Sequence, residues 1–228
     1  MPLELTLVQK IAIWALPVIF AITVHEAAHG YAARALGDNT AAAAGRLSLN
    51  PLRHIDLIGT VILPAVLLML GGFLFGWAKP VPVDFRNLRR PRRDMALVAA
   101  AGPASNLVMA IAWGLLLKLA ITVDPAAQTA WMGVRYMAVA GVAINLVLMV
   151  LNLIPLPPLD GGRVVTGVLP ARAAYRYAQL ERYGLIILIV LLATGLLSEI
   201  MFWPLAISEF LLYSLLGLPA GSPLMPAT

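Results

Sequence analysis

The sequence contains no cysteine among its 228 residues, which excludes disulfide bonds and thiolate metal ligands. It also has few charges, since Asp, Glu, Lys and Arg make up 12% of the chain, against about a quarter of an ordinary soluble domain. No polar stretch is long enough to form a soluble domain. The first residues, MPLELTLVQK, lack the basic region and small-residue cleavage site of a removable signal peptide. We therefore expect one membrane-embedded domain, residues 1–228.

Long apolar runs are what the sequence has instead. Hydrophobic residues make up 61% of the chain, which is more apolar surface than one small core can bury, so the composition predicts an all-α polytopic membrane protein. We expect three core helices followed by C-terminal helices over about 183–217. A crossing takes about 20 residues, and five segments are long and apolar enough, at about 11–36, 57–78, 95–122, 130–155 and 183–203. A sixth, about 205–217, follows Trp203-Pro204 and is expected to lie at the interface or to pack on the bundle.

The region of about 40–94 predicts a small β element and a re-entrant hydrophobic hairpin. Gly45–Asp56 alternates loosely and contains the turn signal Asn50-Pro51, so we expect a short strand and then a turn. Lys79–Val83 must be extended, because each of its prolines disfavours helix in the preceding residue. Segment 57–78 contains proline and glycines at which a hairpin can break.

The first apolar segment contains two imidazoles and a carboxylate. His25 and His29, in HEAAH, are spaced i, i+4, so on a helix they share one face about 6 Å apart and can bind one divalent ion. Glu26 can reach a water on the open metal position and act as its base, which is the HExxH arrangement of zinc metalloproteases. Such a pattern also arises by chance in soluble helices. In an apolar helix, however, ionisable groups are costly without partners and mark function by default.

Asp160 is the predicted third ligand of one zinc ion. Two histidines leave a tetrahedral ion one protein ligand short if one position stays open for water. Asp160 ends NLIPLPPLDGG directly after an apolar segment, where three prolines prevent a continuous helix. Non-helical backbone at membrane depth is tolerated only where it is buried in protein or lines a wet cavity. The alternative is an aspartate that caps a turn before Gly161-Gly162.

These motifs together resemble the site-2 protease family of intramembrane zinc metalloproteases, peptidase family M50. HEAAH matches the first motif of that family at His25, Glu26 and His29, and NLIPLPPLDGG is similar to its second motif, which ends in Asp-Gly at Asp160. AGPASN, residues 101–106, is similar to its Gly-x-x-x-Asn element. The stretch FGWAKPVPV and the lack of a long soluble insert resemble the short bacterial branch without a PDZ or CBS domain. The resemblance implies cleavage of substrate transmembrane helices from the cytosolic side.

The resemblance also implies roles for several polar and small residues. Asn152 is the best candidate for a catalytic donor to the oxyanion, although by sequence alone it could equally cap a helix end. Gly102 and Asn106 are spaced i, i+4, where glycine allows close helix approach and an asparagine in lipid needs a partner. Asn106 and, with less support, Asn145 either hydrogen-bond a metal ligand or hold the helices together.

A helical substrate must unwind before cleavage, because its peptide bonds are shielded by their own hydrogen bonds. An exposed strand edge could accept the unwound segment by strand addition. The candidates for such an edge are Gly45, Leu47, Lys79 and Val81. Alternatively, these residues only cover the site.

The three ligands can meet only at a similar depth, which constrains the topology. If segment 57–78 crosses the membrane, Asp160 emerges on the face opposite to the histidines. If it returns to its own side, both motifs reach the same face. The positive-inside rule agrees: the re-entrant arrangement puts 13 of the 16 Lys and Arg residues on one side, whereas four crossings split them 11 to 5. We expect the N-terminus outside and the active site open to the cytosol.

The predicted activity is that of an intramembrane zinc metalloprotease, which hydrolyses peptide bonds in or near transmembrane helices, as in regulated intramembrane proteolysis. The expected partners are single-span transmembrane substrates and the lipid bilayer of a bacterial inner (plasma) membrane, without nucleic acid. One alternative is a divalent metal transporter, against which the lack of an internal repeat and the presence of Glu26 count. Another is an inactive relative that binds helices without cutting them, although every ligand and the base are present.

Overall fold

The described part of the chain is almost entirely helical. The computed structural model describes residues 6–54, 56, 59, 62, 79–123 and 128–219. Within those ranges there are α-helices and short 3-10 turns, and no strand. The predicted all-α class is confirmed. The helices are α1 (Leu7–Ala35), α2 (Thr40–Ala43), α3 (Pro91–Thr122), α4 (Gln128–Leu153), α5 (Asp160–Val168), α6 (Ala171–Ala178), α7 (Glu181–Ala193) and α8 (Leu196–Leu216).

Four helices of the described part are long and apolar enough to cross a membrane. They are α1, α3, α4 and α8, over Val8–Ala35, Pro91–Thr122, Trp131–Leu153 and Leu196–Leu216. Together with the composition, they make the chain an integral membrane protein, as predicted. The helices α1, α3 and α4 pack on one another and form the expected three-helix core.

Two apolar clusters hold the helices together. The larger lies between α3, α4, α7 and α8 and includes the fully buried Val142 and Leu146. The smaller contains Ala33, Leu88 and Val98 and joins the end of α1 to the beginning of α3. Because Val98 also contacts the candidate site through its carbonyl, this second cluster fixes α1 and α3 at the depth of that site.

The predicted C-terminal crossing over 183–203 is wrong. The chain breaks at Gly195, whose φ of +77° places it in the left-handed region that glycine adopts without steric cost. The helix α8 then runs unbroken through Pro204, since a proline inside a membrane helix is tolerated when its surroundings compensate for the lost hydrogen bond. The sixth segment is therefore part of α8 and is not a separate interfacial element.

The predicted strand within Gly45–Asp56 does not form in the described residues. Residues 46–50 and 79–83 are non-helical, as expected, but no ladder joins them, because the prolines in and beside these stretches lack the N–H groups that a ladder needs. The Lys79 N–H donates to the carbonyl of His54 across 2.9 Å, and the Arg46 guanidinium donates to the carbonyl of Lys79 across 2.9 Å. Almost all of segment 57–78, the predicted re-entrant hairpin, lies outside the described residues.

Candidate metal centre

Three side chains from two distant parts of the chain meet in the core. The Nε2 atoms of His25 and His29 are 3.1 Å apart. The Oδ2 atom of Asp160 lies 3.1 Å from Nε2 of His25 and 3.2 Å from Nε2 of His29. The i, i+4 spacing on α1 turns both imidazoles to one face, and Asp160, the first residue of α5, approaches that face from the other motif. The sequence predicted these three as a set, and the structure brings them together.

Hydrogen bonds on the far side of each ring set the direction of its free lone pair. Nδ1 of His25 lies 2.5 Å from Oδ1 of Asn106, and Nδ1 of His29 lies 2.8 Å from the carbonyl of Val98. Both partners are acceptors, so each Nδ1 carries the proton and each Nε2 presents a lone pair to the centre.

The orientation of Asn106 is fixed by a second asparagine. Its amide nitrogen donates to Oδ1 of Asn145 across 2.9 Å, and the Asn145 amide nitrogen donates to the carbonyl of Gly141 across 2.8 Å. Both side chains are fully buried. The chain of donors leaves Oδ1 of Asn106 for the His25 ring, so Asn106 does both things that the sequence left open: it contacts a candidate ligand and joins α1, α3 and α4.

The cluster fits a bound divalent cation. Two imidazole lone pairs and a carboxylate oxygen face one another, and Oδ2 of Asp160 is buried without a hydrogen-bond partner. A proton would satisfy a single pair, whereas a divalent ion satisfies all three acceptors. Ligands held tetrahedrally at zinc–ligand distances of about 2.0–2.1 Å lie about 3.3 Å apart, close to the 3.1–3.2 Å seen here. A His₂Asp set that leaves one position for water is the donor type of a catalytic zinc site.

Gly102 lets α3 approach the two imidazoles. A methyl group on its Cα would lie 2.6 Å from Nε2 of His25 and 2.6 Å from Cε1 of His29, well inside van der Waals contact. The residue type is therefore required by the position of the candidate ligands. The resemblance of AGPASN to a family element pointed to Gly102, and the steric reason becomes visible only in the structure.

Glu26 lies beside the cluster and is held by the backbone of a distant segment. Its Oε2 accepts a hydrogen bond from the N–H of Val81 across 2.8 Å. Gly30, one turn further along α1, allows this approach, because a Cβ there would lie 2.5 Å from a methyl of Leu47 and 2.9 Å from a methyl of Val81. The sequence reasoning missed Gly30, although a glycine directly after HEAAH in an alanine-rich helix was a usable signal.

The other predicted site residues include Asn152, Gly45 and Lys79, each of which has hydrogen-bond partners in the structure. The Asn152 side-chain amide donates to the carbonyl of Leu148 in its own helix across 3.0 Å, and its catalytic role stays a prediction. Gly45 and Lys79 have both backbone groups engaged: Gly45 donates to the carbonyl of Ala42 and accepts from Arg53, and Lys79 has the two contacts given above.

A buried carboxylate that the sequence reasoning did not single out anchors the segment of Val81. Asp38, which is fully buried after α1, accepts hydrogen bonds from the N–H of Thr40 (3.0 Å), the hydroxyl of Thr40 (2.5 Å), the side-chain amide of Asn87 (3.0 Å) and the N–H of Asp84 (2.9 Å). Burial alone would raise the pKa of Asp38, but these hydrogen bonds to its charged form hold the pKa below its ordinary value.

Membrane-crossing helices that enclose two histidines, an aspartate and an adjacent glutamate define a membrane-embedded protein of the metallopeptidase type. The family model "Peptidase family M50" matches residues 116–195, which include Asp160. "Putative zinc metalloprotease YwhC" of Bacillus subtilis is 40% identical over 188 residues, which cover 82% of each chain. This chain therefore belongs to peptidase family M50.

Two mycobacterial relatives are similar to this chain at lower identity. "Putative zinc metalloprotease Rip2" of Mycolicibacterium smegmatis is 31% identical over 191 residues, which cover 81% of this chain and 70% of the relative. The protein of the same name from Mycobacterium tuberculosis H37Rv is 32% identical over 185 residues, which cover 81% of this chain and 66% of the relative. No solved structure matches this chain significantly.

Proposed function

We propose that this chain is a zinc metalloprotease that cleaves membrane-protein substrates in or near their transmembrane helices. The observation that carries the proposal is the buried convergence of His25, His29 and Asp160, with the carboxylate of Glu26 on the adjacent residue of α1. The names of the M50 relatives support zinc and proteolysis.

Each residue has a distinct chemical task in this proposal. His25, His29 and Asp160 hold the metal through Nε2, Nε2 and Oδ2. Bound zinc supplies a Lewis acid that polarises the scissile carbonyl and makes water more acidic. Glu26 takes a proton from the attacking water and delivers it to the leaving amine. Asn106 keeps the proton of His25 on Nδ1, so that Nε2 stays a ligand.

Asn152 is the proposed donor to the oxyanion that develops on the substrate carbonyl. It lies in the last turn of α4, the helix that leads to the loop before Asp160, one residue before the helix ends. Its side-chain amide donates one of its two N–H groups to the carbonyl of Leu148, so the proposal assigns the second N–H group to the substrate oxyanion. A preorganised donor of this kind accelerates acyl-transfer chemistry by about 10²–10³-fold.

Substrate docking by strand addition is proposed at the stretches around Leu47 and Val81. Both side chains lie against Gly30 of α1, one turn beyond Glu26, so an added strand would reach the base directly. In the structure the N–H of Val81 donates to Glu26, and the backbone N–H and carbonyl groups of Gly45 and of Lys79 are all hydrogen-bonded. Binding of a substrate strand there involves exchange of some of these contacts.

The proposed orientation opens the site to the cytosol of a bacterial cell, from its inner membrane. The end of α1 and the beginning of α3 lie side by side, since the N–H of Arg89 donates to the carbonyl of Leu36 across 3.1 Å. The chain therefore leaves α1 and begins α3 on the same side of the membrane. This supports a segment 57–78 that enters the membrane and returns to the side from which it came. The excess of Lys and Arg then falls in the cytosol.

The deciding experiment compares the purified wild type with Glu26→Gln on a panel of single-span substrates in proteoliposomes. The variant keeps its zinc and loses at least about 100-fold in cleavage rate, as expected for removal of a general base. Glu199→Gln, at an exposed position on α8, is the matched control and cleaves as wild type. Zinc flux without cleavage by the wild type would establish the transporter instead. Substrate binding with neither cleavage nor flux would establish the inactive helix-binding protein.

A further inference from the structure

The loop between Asn152 and Asp160 decides where the third ligand lies, yet it has little regular structure of its own. Its three prolines donate no backbone hydrogen bonds. Within it, the N–H of Leu156 donates to the carbonyl of Ile154 across 2.7 Å, and the N–H of Leu159 donates to the carbonyl of Leu156 across 2.9 Å. A loop with so few internal bonds depends on neighbouring elements for its position.

The helix α6 provides one such contact. The hydroxyl of Tyr177 donates to the carbonyl of Pro155 across 2.7 Å. Ala174, three residues earlier, is the buried residue of α6, so Tyr177 lies on the inner side of the helix. Partial burial raises the pKa of Tyr177, which keeps the hydroxyl protonated as a donor. Tyr175, two residues away, is 71% exposed.

The helix α7 provides the second contact, by close approach. Gly184 and Leu188, spaced i, i+4, are the buried residues of α7. A Cβ on Gly184 would overlap the carbonyl oxygen of Pro157 and would lie 2.6 Å from Cδ of Pro158. Leu188 belongs to the larger apolar cluster, against which Leu159, the residue before the ligand, is packed.

The opposite side of the loop is covered by the helix that carries the ligand. A Cβ on Gly162 of α5 would overlap the backbone nitrogen of Pro157, and one on Gly161 would overlap the carbonyl of Ile154. Pro157 is therefore enclosed between α5 and α7 at van der Waals distance. No free space separates α7 from the loop, so a movement of α7 toward the loop must displace the loop and Asp160.

We propose that Tyr177 and Gly184 are positioning residues for the metal centre, which fix the proline loop from its C-terminal side and so hold the Asp160 carboxylate against His25 and His29. Through Tyr177, Gly184 and Leu188, the helices α6 and α7 thereby contribute to metal retention. The inference rests on the zinc centre of the proposed function and is independent of proteolysis.

The test measures zinc release from purified holoprotein to excess chelator, together with the melting temperature. Two matched pairs are compared. Tyr177→Phe removes the hydroxyl alone, and its control is Tyr175→Phe on the exposed face. Gly184→Ala adds one methyl group against Pro157, and its control is Gly133→Ala on α4, where a Cβ meets nothing within 4 Å.

Tyr177→Phe releases zinc about fivefold faster than wild type, the factor that corresponds to a lost hydrogen bond of about 1 kcal/mol. Gly184→Ala releases it more than about tenfold faster, and both controls stay within about twofold of wild type. A faster release at an unchanged melting temperature separates positioning of the ligand from a general loss of stability.

Release at the wild-type rate from Tyr177→Phe overturns the proposal, and that variant decides the matter if Gly184→Ala does not fold. Equal acceleration by Tyr175→Phe overturns it too. A wild type that holds zinc but cleaves no substrate refutes the protease and leaves this test intact. A wild type that binds no zinc refutes both.

Discussion

The carboxylate of Glu26 accepts a hydrogen bond from the backbone N–H of Val81, 55 residues along the chain, across 2.8 Å. A side chain on an α-helix with several rotatable bonds is thereby fixed by a non-helical segment. Because Asp38 anchors the same segment through Asp84 and Asn87, the position of Glu26, the proposed general base, depends on polar contacts beyond the end of α1.

Loss of the Val81 N–H should reduce turnover without removing the metal. Val81→Pro deletes this donor, and the flanking Pro80 and Pro82 already restrict the stretch to extended conformations. We expect kcat to fall about tenfold because Glu26 loses its orienting bond, while zinc content stays at the wild-type level. Val81→Ala keeps the N–H and is the control in the same peptide-release assay. Equal losses in both variants would assign the effect to the side chain.

A methyl group at Gly102 should destroy the metal site. Gly102→Ala forces the imidazoles of His25 and His29 away from α3, since the added carbon would lie 2.6 Å from both rings. Zinc affinity, measured by competition with a chromophoric chelator, falls at least tenfold. Gly133→Ala makes the same chemical change without a contact and retains wild-type affinity. Full zinc affinity in Gly102→Ala would show that the rings are not held against α3.

Of the two buried asparagines, the one that contacts His25 directly should affect metal binding more than the one behind it. Asn106→Ala leaves Nδ1 of His25 and Oδ1 of Asn145 without their partners in a fully buried place. Loss of such an outer partner typically costs about 10–100-fold in metal affinity. Asn145→Ala acts through Asn106 and has a smaller effect. A larger loss from Asn145→Ala than from Asn106→Ala would contradict the order of this chain of donors.

The Asp38 contacts should make stability depend on pH in the acid range. The pKa of Asp38 is lower in the folded state than its ordinary 3.8, so its stabilising effect is complete above pH 3.8 and disappears as the pH falls through the lowered value. Asp38→Asn therefore melts below wild type at neutral pH, and the difference narrows below pH 3.8. Thermal unfolding in detergent from pH 2.5 to 7 measures both. A difference that is constant with pH would rule out the ionised carboxylate as its source.

The metal centre could be predicted because its signals are local. The spacing of His25 and His29 is a helical repeat, and Asp160 follows prolines that no membrane helix accommodates in such number. The histidine partners are harder to find: the carbonyl of Val98 has no sequence signature, and Asn106 was found through a family motif. The Asp38 contacts join residues 46 and 49 positions apart, and no short pattern indicates such a pairing.

The C-terminal helices show the opposite case, in which a local signal was misleading. Pro204 suggested a break, but α8 continues through it and the chain turns instead at Gly195. A glycine in an apolar run is compatible with helix or turn, and tertiary packing decides between them. Gly184 is a similar case, because its proximity to Pro157 depends on how α7 folds back on the loop.

The most direct test of the metal centre is the zinc content of purified Asp160→Ala beside wild type and Glu26→Gln, by elemental analysis of the same preparations. The account predicts one zinc ion per chain in wild type and in Glu26→Gln, and almost none in Asp160→Ala, because removal of one of three protein ligands opens the site to water. One zinc ion per chain in Asp160→Ala, with wild-type cleavage, would contradict the assignment of Asp160 as the third ligand.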